Sequence, residues 1–284
     1  MTTLRIVCAG SILKALEKAA EDFRRSHGDL TFRFVSGGSV ELARELLRGQ
    51  EEADLFFSAD HSLLTGWFLD GGKASLVRPL VTNAKVLAFP RQSPYREELR
   101  CGNWYGLLER PGIILAHTAP DNDPGGYRTL LVLRLAELHY DEPGLFDRVL
   151  RNPSRLVLPP RTTHALVDRL HDEGRIDFMI RYRSSLQGER YDFLCLPKEI
   201  DLSDPTMAET YAKARLEIRG PDGRHQTVCG EPILYGAALL ADSCAAGEAK
   251  AFLDHLFSVS GGQILRECGF GTLDAEGGAT DRTA

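Results

Sequence analysis

The sequence predicts an α/β protein: a parallel sheet with helices on its faces, from which the chain crosses into a second lobe. Three observations carry this. A strand, a short turn and a helix follow one another three times in the first third of the chain. The alternation then stops, and a strand ending in proline, AKVLAFP (84–90), opens a new series. The 284 residues, 43% of them hydrophobic, suffice for two lobes with cores of their own.

In order, LRIVCA (4–9) reads as a buried strand, followed by Gly10-Ser11 and a helix with an apolar stripe of Ile12, Leu13, Leu16, Ala19, Ala20 and Phe23. TFRFVS (31–36) leads through Gly37-Gly38-Ser39 into a helix carrying Val40, Leu42, Ala43, Leu46 and Leu47. ADLFFSAD (53–60) is a strand ending in Ser58-Ala59-Asp60, with a helix after it. The second lobe then reads as a helix around NWYGLLER (103–110), the strand IILAHT (113–118), the loop APDNDPGGYR (119–128) and the helix YRTLLVLRLAELHY (127–140). HALVDRLHDEG (164–174) is a helix stopped by Gly174, running into the strand IDFMIRY (176–182). YDFLCLP (191–197) reads as the strand that leads back to the first lobe. A hairpin around Pro-Asp-Gly (214–228), the segment ILYGAALL (233–240) and helices over 249–259 and 261–270 close the fold. The expected organisation is therefore 1–83 in the first lobe, 84–198 in the second and 199–273 back in the first. A tail over 274–284, rich in Gly, Ala and Thr, reads as disordered.

Composition excludes several functions. A net charge of -6 with no block of like charge argues against nucleic acid and against an anionic membrane surface. The longest apolar runs are of strand length, so no transmembrane helix is expected. MTTLRIVCAGS enters a strand pattern directly, without the basic start and apolar core of a signal peptide. Either the protein is cytosolic or its leader has been removed. The six cysteines (8, 101, 195, 229, 244 and 268) show neither a CxxC nor metal-ligand spacing, and Cys8 and Cys195 fall in strands, where a buried reduced thiol is expected.

The chemistry-bearing pattern is a small residue plus Ser at strand-to-helix junctions: Gly10-Ser11, Gly38-Ser39, and Gly125-Gly126 before Tyr127. Helix N-termini at the carboxyl ends of parallel strands aim free N–H groups and partial positive charge at one crevice. Gly lets the backbone approach and Ser adds a hydroxyl donor, which suits a small tetrahedral oxyanion. Each Ser taken alone reads equally as an N-cap. No GxSxG, Walker loop, GxGxxG or HExxH is present, the eight His do not pair at metal spacing, and DNDPGG lacks the alternating ligands of an EF-hand loop.

At these junctions the chain resembles a known family. AGSILKAL, SGGSVELARELL, ADLFFSADHSLL, NWYGLLERPG, NDPGGYRTLLVLRLAELHYDEP, LPKEIDLSDP, PILYGAALL and SGGQILRECGF resemble, in order, the tungstate/molybdate-binding proteins of ABC transporters, above all their archaeal branch. NDPGGYR and LPKEIDL are the more specific of these segments. The resemblance implies a two-lobed periplasmic-binding-protein fold of type II, each lobe a mixed sheet flanked by helices, with the ligand in the inter-lobe cleft. It implies a solute-binding component that captures tungstate or molybdate and delivers it to a membrane permease, catalysing nothing. No cofactor is implied beyond that ligand, and the expected state is a periplasmic or extracellular, membrane-associated monomer.

Carried over by position, Gly10, Ser11 and Ser39 would donate from the first lobe, Asp123 and the backbone of Gly125 would contribute from the second, and Tyr182 would reach in with its hydroxyl. In the branch resembled, an Asp of this loop and a Glu at a later helix start approach the metal atom itself. Tungsten(VI) and molybdenum(VI) accept additional oxygen ligands, whereas sulfate and phosphate do not, so a carboxylate there repels the wrong anions. Asp123 is thus a direct-ligand candidate as well as a helix cap. The second carboxylate is missing, because the Glu position aligns with His164. His164 would donate to an anion oxygen when protonated, or face solvent at the start of its helix. Arg161 and Arg175 read as surface charges. A binding protein for another oxyanion such as sulfate, and a cytosolic sensor or enzyme on the same fold, remain the alternative readings.

Overall fold

The computed structural model describes residues 2–100, 102–159, 161–186, 188, 190–220, 222–273 and 279–280. The chain divides into two compact units, one of Met1–Asn83 with Ile233–Ala284, the other of Ala84–Pro232.

The first unit opens with β1 (Thr2–Ala9), α1 (Leu13–Arg24), β2 (Leu30–Gly37), α2 (Ser39–Leu47) and β3 (Leu55–Ser58). A short helix α3 (His61–Leu63) runs on as a π-helical turn over Leu64–Leu69 and leads to β4 (Ala74–Thr82). The second unit holds β5 (Lys85–Pro90), α4 (Arg96–Arg100), α5 (Trp104–Leu108), β6 (Leu115–Thr118), α6 (Pro124–His139), α7 (Leu145–Arg151) and β7 (Leu156–Leu158). It continues with α8 (His164–Asp172), β8 (Phe178–Tyr182), β9 (Tyr191–Cys195), α9 (Ala208–Tyr211), β10 (Arg215–Arg219) and β11 (His225–Cys229). The first unit then resumes with β12 (Leu234–Leu240), α10 (Ala246–Leu256), α11 (Val259–Glu267), β13 (Gly271–Leu273) and β14 (Ala279–Thr280).

The first unit's sheet has the order β14-β13-β4-β12-β3-β1-β2. β1 pairs in parallel with β2 and β3, while β12 is antiparallel to both β3 and β4. The predicted stripe of α1 is buried at Ala15, Leu16, Ala19, Ala20 and Phe23, the spacing a helix needs to cover a sheet with one face. Phe23 meets Phe252 of α10 edge to face at 5.5 Å. Burying a side chain of that size contributes about 2–3 kcal/mol.

The second unit's sheet has the order β7-β6-β8-β5-β9. β6 is parallel to β7 and β8, and β5 is antiparallel to its neighbours β8 and β9. Its central helix α6 is buried almost all round, from Pro124 through Leu130, Leu131, Val132 and Leu133 to Ala136. The β10–β11 hairpin lies against α6, and its Arg219 N–H donates to Asp121 Oδ1 at 2.9 Å.

Several expectations need correction. The return to the first unit comes at Ile233, so residues 199–232 belong to the second unit, and β9 is an edge strand of its sheet. Strand β4 is not expected from the sequence, because Pro79 lies within it. The ladder accommodates that missing donor with a register shift, Tyr235 facing Val81 and Gly236 facing Pro79. Helix α6 starts at Pro124, three residues before Tyr127, because proline at the first helical position sacrifices no hydrogen bond. Cys195 is exposed at the end of β9, whereas Cys8 is buried as expected. Cys101 lies outside the described residues. Of the tail expected to be disordered, residues 279–280 form β14 against β13, and the others lie outside the described residues. Among the described residues, no helix is long and apolar enough to cross a membrane.

Candidate oxyanion-binding elements

In the first unit, register brings three strand ends to one edge. Ala9 of β1 faces Gly37 of β2, and Cys8 faces Phe57 of β3, so Ser58 ends level with both. Antiparallel β12 brings its amino end there too, with Gly236 opposite Ser58. Gly10, Ser11 and Ser39 therefore share an edge, but not identical roles. The Gly10 N–H is taken by the Gly37 carbonyl at 3.1 Å. Neither serine is an N-cap: Ile12 precedes α1, and Gly38 precedes α2. Ser11 Oγ lies 2.8 Å from the hydroxyl of Tyr235, which also accepts from Asn83 Nδ2 at 3.3 Å. Ser39 is fully buried and its Oγ accepts the Ala59 N–H at 3.0 Å, tying the start of α2 to the loop after β3. Having accepted there, the Ser39 hydroxyl keeps its own proton to donate. Asp60 is engaged locally, its Oδ1 accepting from the Ser62 N–H and hydroxyl at 2.9 and 2.7 Å.

In the second unit the carboxyl ends of β6 and β8 and the amino end of β5 meet at the start of α6. Asp123 is the N-cap residue by position, with φ -148° and ψ 130°, yet its side chain makes no capping bond. Instead Oδ2 accepts the Thr118 hydroxyl at 2.6 Å. The two glycines that follow are required by close approach. A Cβ on Gly126 would lie 2.4 Å from the Thr118 carbonyl oxygen, and one on Gly125 would lie 2.6 Å from Asp123 Oδ2. Gly125, second in the helix, presents an N–H that the i→i−4 ladder cannot use.

Tyr182 ends β8 with its hydroxyl accepting from Arg128 Nη1 at 3.1 Å. The Arg128 side chain is only 1% exposed and also reaches Glu231, 3.9 Å away. Lys85 is paired with Tyr182 across β5 and β8, and its Nζ donates to the Gly125 carbonyl at 3.1 Å. That ammonium is 4.4 Å from the Tyr182 ring centroid. Burial pushes its pKa down to about 7; Asp123 opposes the shift, while Arg128 and Arg181 add to it. The Gly125 carbonyl is held a second time, by the Thr129 hydroxyl at 2.8 Å.

Asp123, Gly125 and Tyr182 are thus brought together in one cluster. Sequence reasoning missed its cations, Lys85 and Arg128. A lysine at the first position of a strand and an arginine on a helix both read as solvated charge. The available signal was their setting, Arg128 four residues after Pro124 and Lys85 at the chain crossing. His164 is the first residue of α8, capped by Thr163, whose hydroxyl accepts the Leu166 N–H at 3.2 Å. The His164 side chain lies outside what the structure describes. Arg161 and Arg175 are exposed, the latter 3.7 Å from Glu173. Among the described residues, no group of three or more His, Cys, Asp or Glu is placed to hold a metal cation. The first unit's edge carries serine hydroxyls, and the second unit's cluster adds buried positive charge, which is how proteins bind anions.

The chain is similar to known proteins in sequence and in fold. It is 27% identical to an uncharacterized solute-binding protein of Methanoculleus marisnigri over 97% of this chain and 83% of that one. It is 29% identical to the molybdate/tungstate-binding protein WtpA of Pyrococcus abyssi over 66% of this chain and 59% of that one. Among solved structures, it superposes on the periplasmic molybdate-binding protein of Azotobacter vinelandii with a TM-score of 0.66 at 17% identity, covering 94% of this chain and 98% of that one. The sulfate-binding protein SubI of Mycobacterium tuberculosis gives 0.68 at 15% identity, covering 97% and 88%. At such identities the likeness concerns the fold, which is that of the periplasmic binding proteins. The family described as bacterial extracellular solute-binding protein matches residues 4–271, and the chain belongs to that family.

Proposed function

We propose that this protein is the solute-binding component of an ABC importer and that its solute is tungstate or molybdate. The observation that carries the reading is the cluster at the start of α6. A carboxylate unused as a cap precedes a helical N–H that the ladder leaves unused, and a buried lysine on the Gly125 carbonyl and a buried arginine on the Tyr182 hydroxyl complete the cluster. The 29% identity to a molybdate/tungstate-binding protein supports the choice of anion.

In this reading the N–H of Gly125 and the hydroxyl of Tyr182 donate to oxygens of the dianion. Asp123 faces the metal atom, which tungsten(VI) and molybdenum(VI) tolerate as hard Lewis acids and sulfur(VI) does not. The family resemblance aligns His164 with the second carboxylate of the related branch, which in this reading leaves Asp123 as the anionic contact. The protein performs capture and delivery: it acts outside the cytoplasm, passes the anion to a membrane permease and catalyses no reaction.

A thermal-shift panel tests this. Tungstate and molybdate at micromolar concentration should raise Tm, because a solute that binds only the folded state stabilises it by mass action. Sulfate and phosphate should leave Tm unchanged, and equal stabilisation by sulfate overturns the assignment.

A further inference from the structure

Lys85 is not among the donors assigned to the anion, yet it is buried as deeply as Arg128 beside it. Its side chain is buried to 1% exposure. An isolated ammonium in such a position is costly, and the protein retains it with one carbonyl, one aromatic face and one nearby carboxylate. The charged and titratable groups that face it come from every neighbouring element: Asp123 and Arg128 from α6, Arg181 and Tyr182 from β8, and His117 from β6. Asp201, whose carbonyl accepts the Lys85 N–H at 2.8 Å, stands on the segment after β9.

We infer that Lys85 sets the charge selectivity of the anion site, its ammonium holding the Gly125 carbonyl and supplying the positive field that makes the Asp123-bearing helix start acceptable to a doubly charged anion. This rests on the oxyanion reading above. Without Lys85 a carboxylate would stand at that helix start with Arg128 as a remaining cation, and Arg128 is committed to Tyr182 and Glu231. A field acts in proportion to ligand charge, so the loss of Lys85 weakens a dianion twice as much, in logarithmic units, as a monoanion of the same shape. Lys85 also fixes geometry: by gripping the carbonyl of Gly125 it holds the peptide that follows Gly125 in the first turn of α6.

Tungstate and perrhenate are tetrahedral anions of similar size that carry two charges and one. Isothermal titration of both at pH 6, where Lys85 is protonated, into the wild type, Lys85→Met, Lys85→Gln and Lys85→Arg measures the effect, with folding checked by circular dichroism. Lys85→Met and Lys85→Gln should bind tungstate roughly 100-fold and perrhenate roughly tenfold more weakly, so the ratio between the anions falls about tenfold. Lys85→Arg, which retains the charge, should keep a ratio near that of the wild type. If the neutral variants lose both anions by the same factor, Lys85 is only a structural support and the inference is overturned. A wild type that binds neither anion refutes the oxyanion reading itself and this inference with it. Wild-type tungstate binding with an unchanged Lys85→Met refutes the inference alone.

Discussion

Lys85 and Tyr182 are Cα partners across β5 and β8, and the lysine ammonium sits 4.4 Å from the centroid of the tyrosine ring. Two residues nearly a hundred positions apart in sequence are thereby placed beneath the same helix start. The tyrosine presents its hydroxyl to Arg128 and its ring to Lys85. Cation–π attraction at a desolvated position is worth up to about 2 kcal/mol, so the ring keeps the lysine in place as much as the carbonyl does.

Tyr182→Phe separates the two uses of that hydroxyl. The ring and its contact with Lys85 remain, while buried Arg128 loses an acceptor, which should cost about 1–2 kcal/mol in denaturant unfolding. If the hydroxyl also donates to the anion, tungstate affinity should fall by about 10- to 100-fold in a calorimetric titration. Lower stability with unchanged affinity would assign the hydroxyl to Arg128 alone.

Gly125 and Gly126 are adjacent, but alanine should act differently at each. At Gly126 the new Cβ meets the Thr118 carbonyl oxygen at 2.4 Å, a backbone atom that cannot step aside. Gly126→Ala should therefore lower stability by about 1–3 kcal/mol or more. At Gly125 it meets the Asp123 carboxylate at 2.6 Å, a side-chain atom that can rotate away. Gly125→Ala should leave stability closer to the wild type and weaken tungstate binding, because the carboxylate is displaced. Comparing unfolding midpoints and affinities of the two variants checks the distinction.

His171 makes the second unit acid-sensitive. Burial depresses its pKa from 6.5 to about 4, and its Nδ1 lies 2.8 Å from the Ile176 carbonyl oxygen. Between these values the unfolded chain binds the proton and the folded chain does not. Stability is therefore fully present above about pH 6.5 and declines as pH falls towards 4, by an amount on the order of 3 kcal/mol. His171→Gln should flatten that part of the stability profile measured by urea unfolding at stepped pH. An unchanged slope would place the acid sensitivity elsewhere.

Legibility in the sequence followed physical cause. The strand–turn–helix units of the first unit were readable because β1 and β3 are buried on both faces and α1 carries a stripe of clean spacing. β4 was not, since Pro79 signals a break that the fold absorbs as a bulge. The boundary at Ile233 was missed because the β10–β11 hairpin packs on α6 through tertiary contacts that leave no periodic trace. At the candidate site, Gly125 and Asp123 stood out as a loop motif, and Tyr182 entered through family resemblance. Lys85 stayed hidden because its burial depends on a helix that begins about forty residues later. Arg128 belonged to the quoted motif, but its role depends on a strand more than fifty residues away.

The central claim is that the anion is recognised as a metal oxyanion, with Asp123 turned to its metal. Isothermal titration of the wild-type protein with tungstate and sulfate, side by side in one buffer, tests it most directly. The account predicts saturable tungstate binding at micromolar concentration or tighter, and no measurable sulfate binding at a thousandfold higher concentration. Sulfate binding with an affinity within tenfold of tungstate would contradict it.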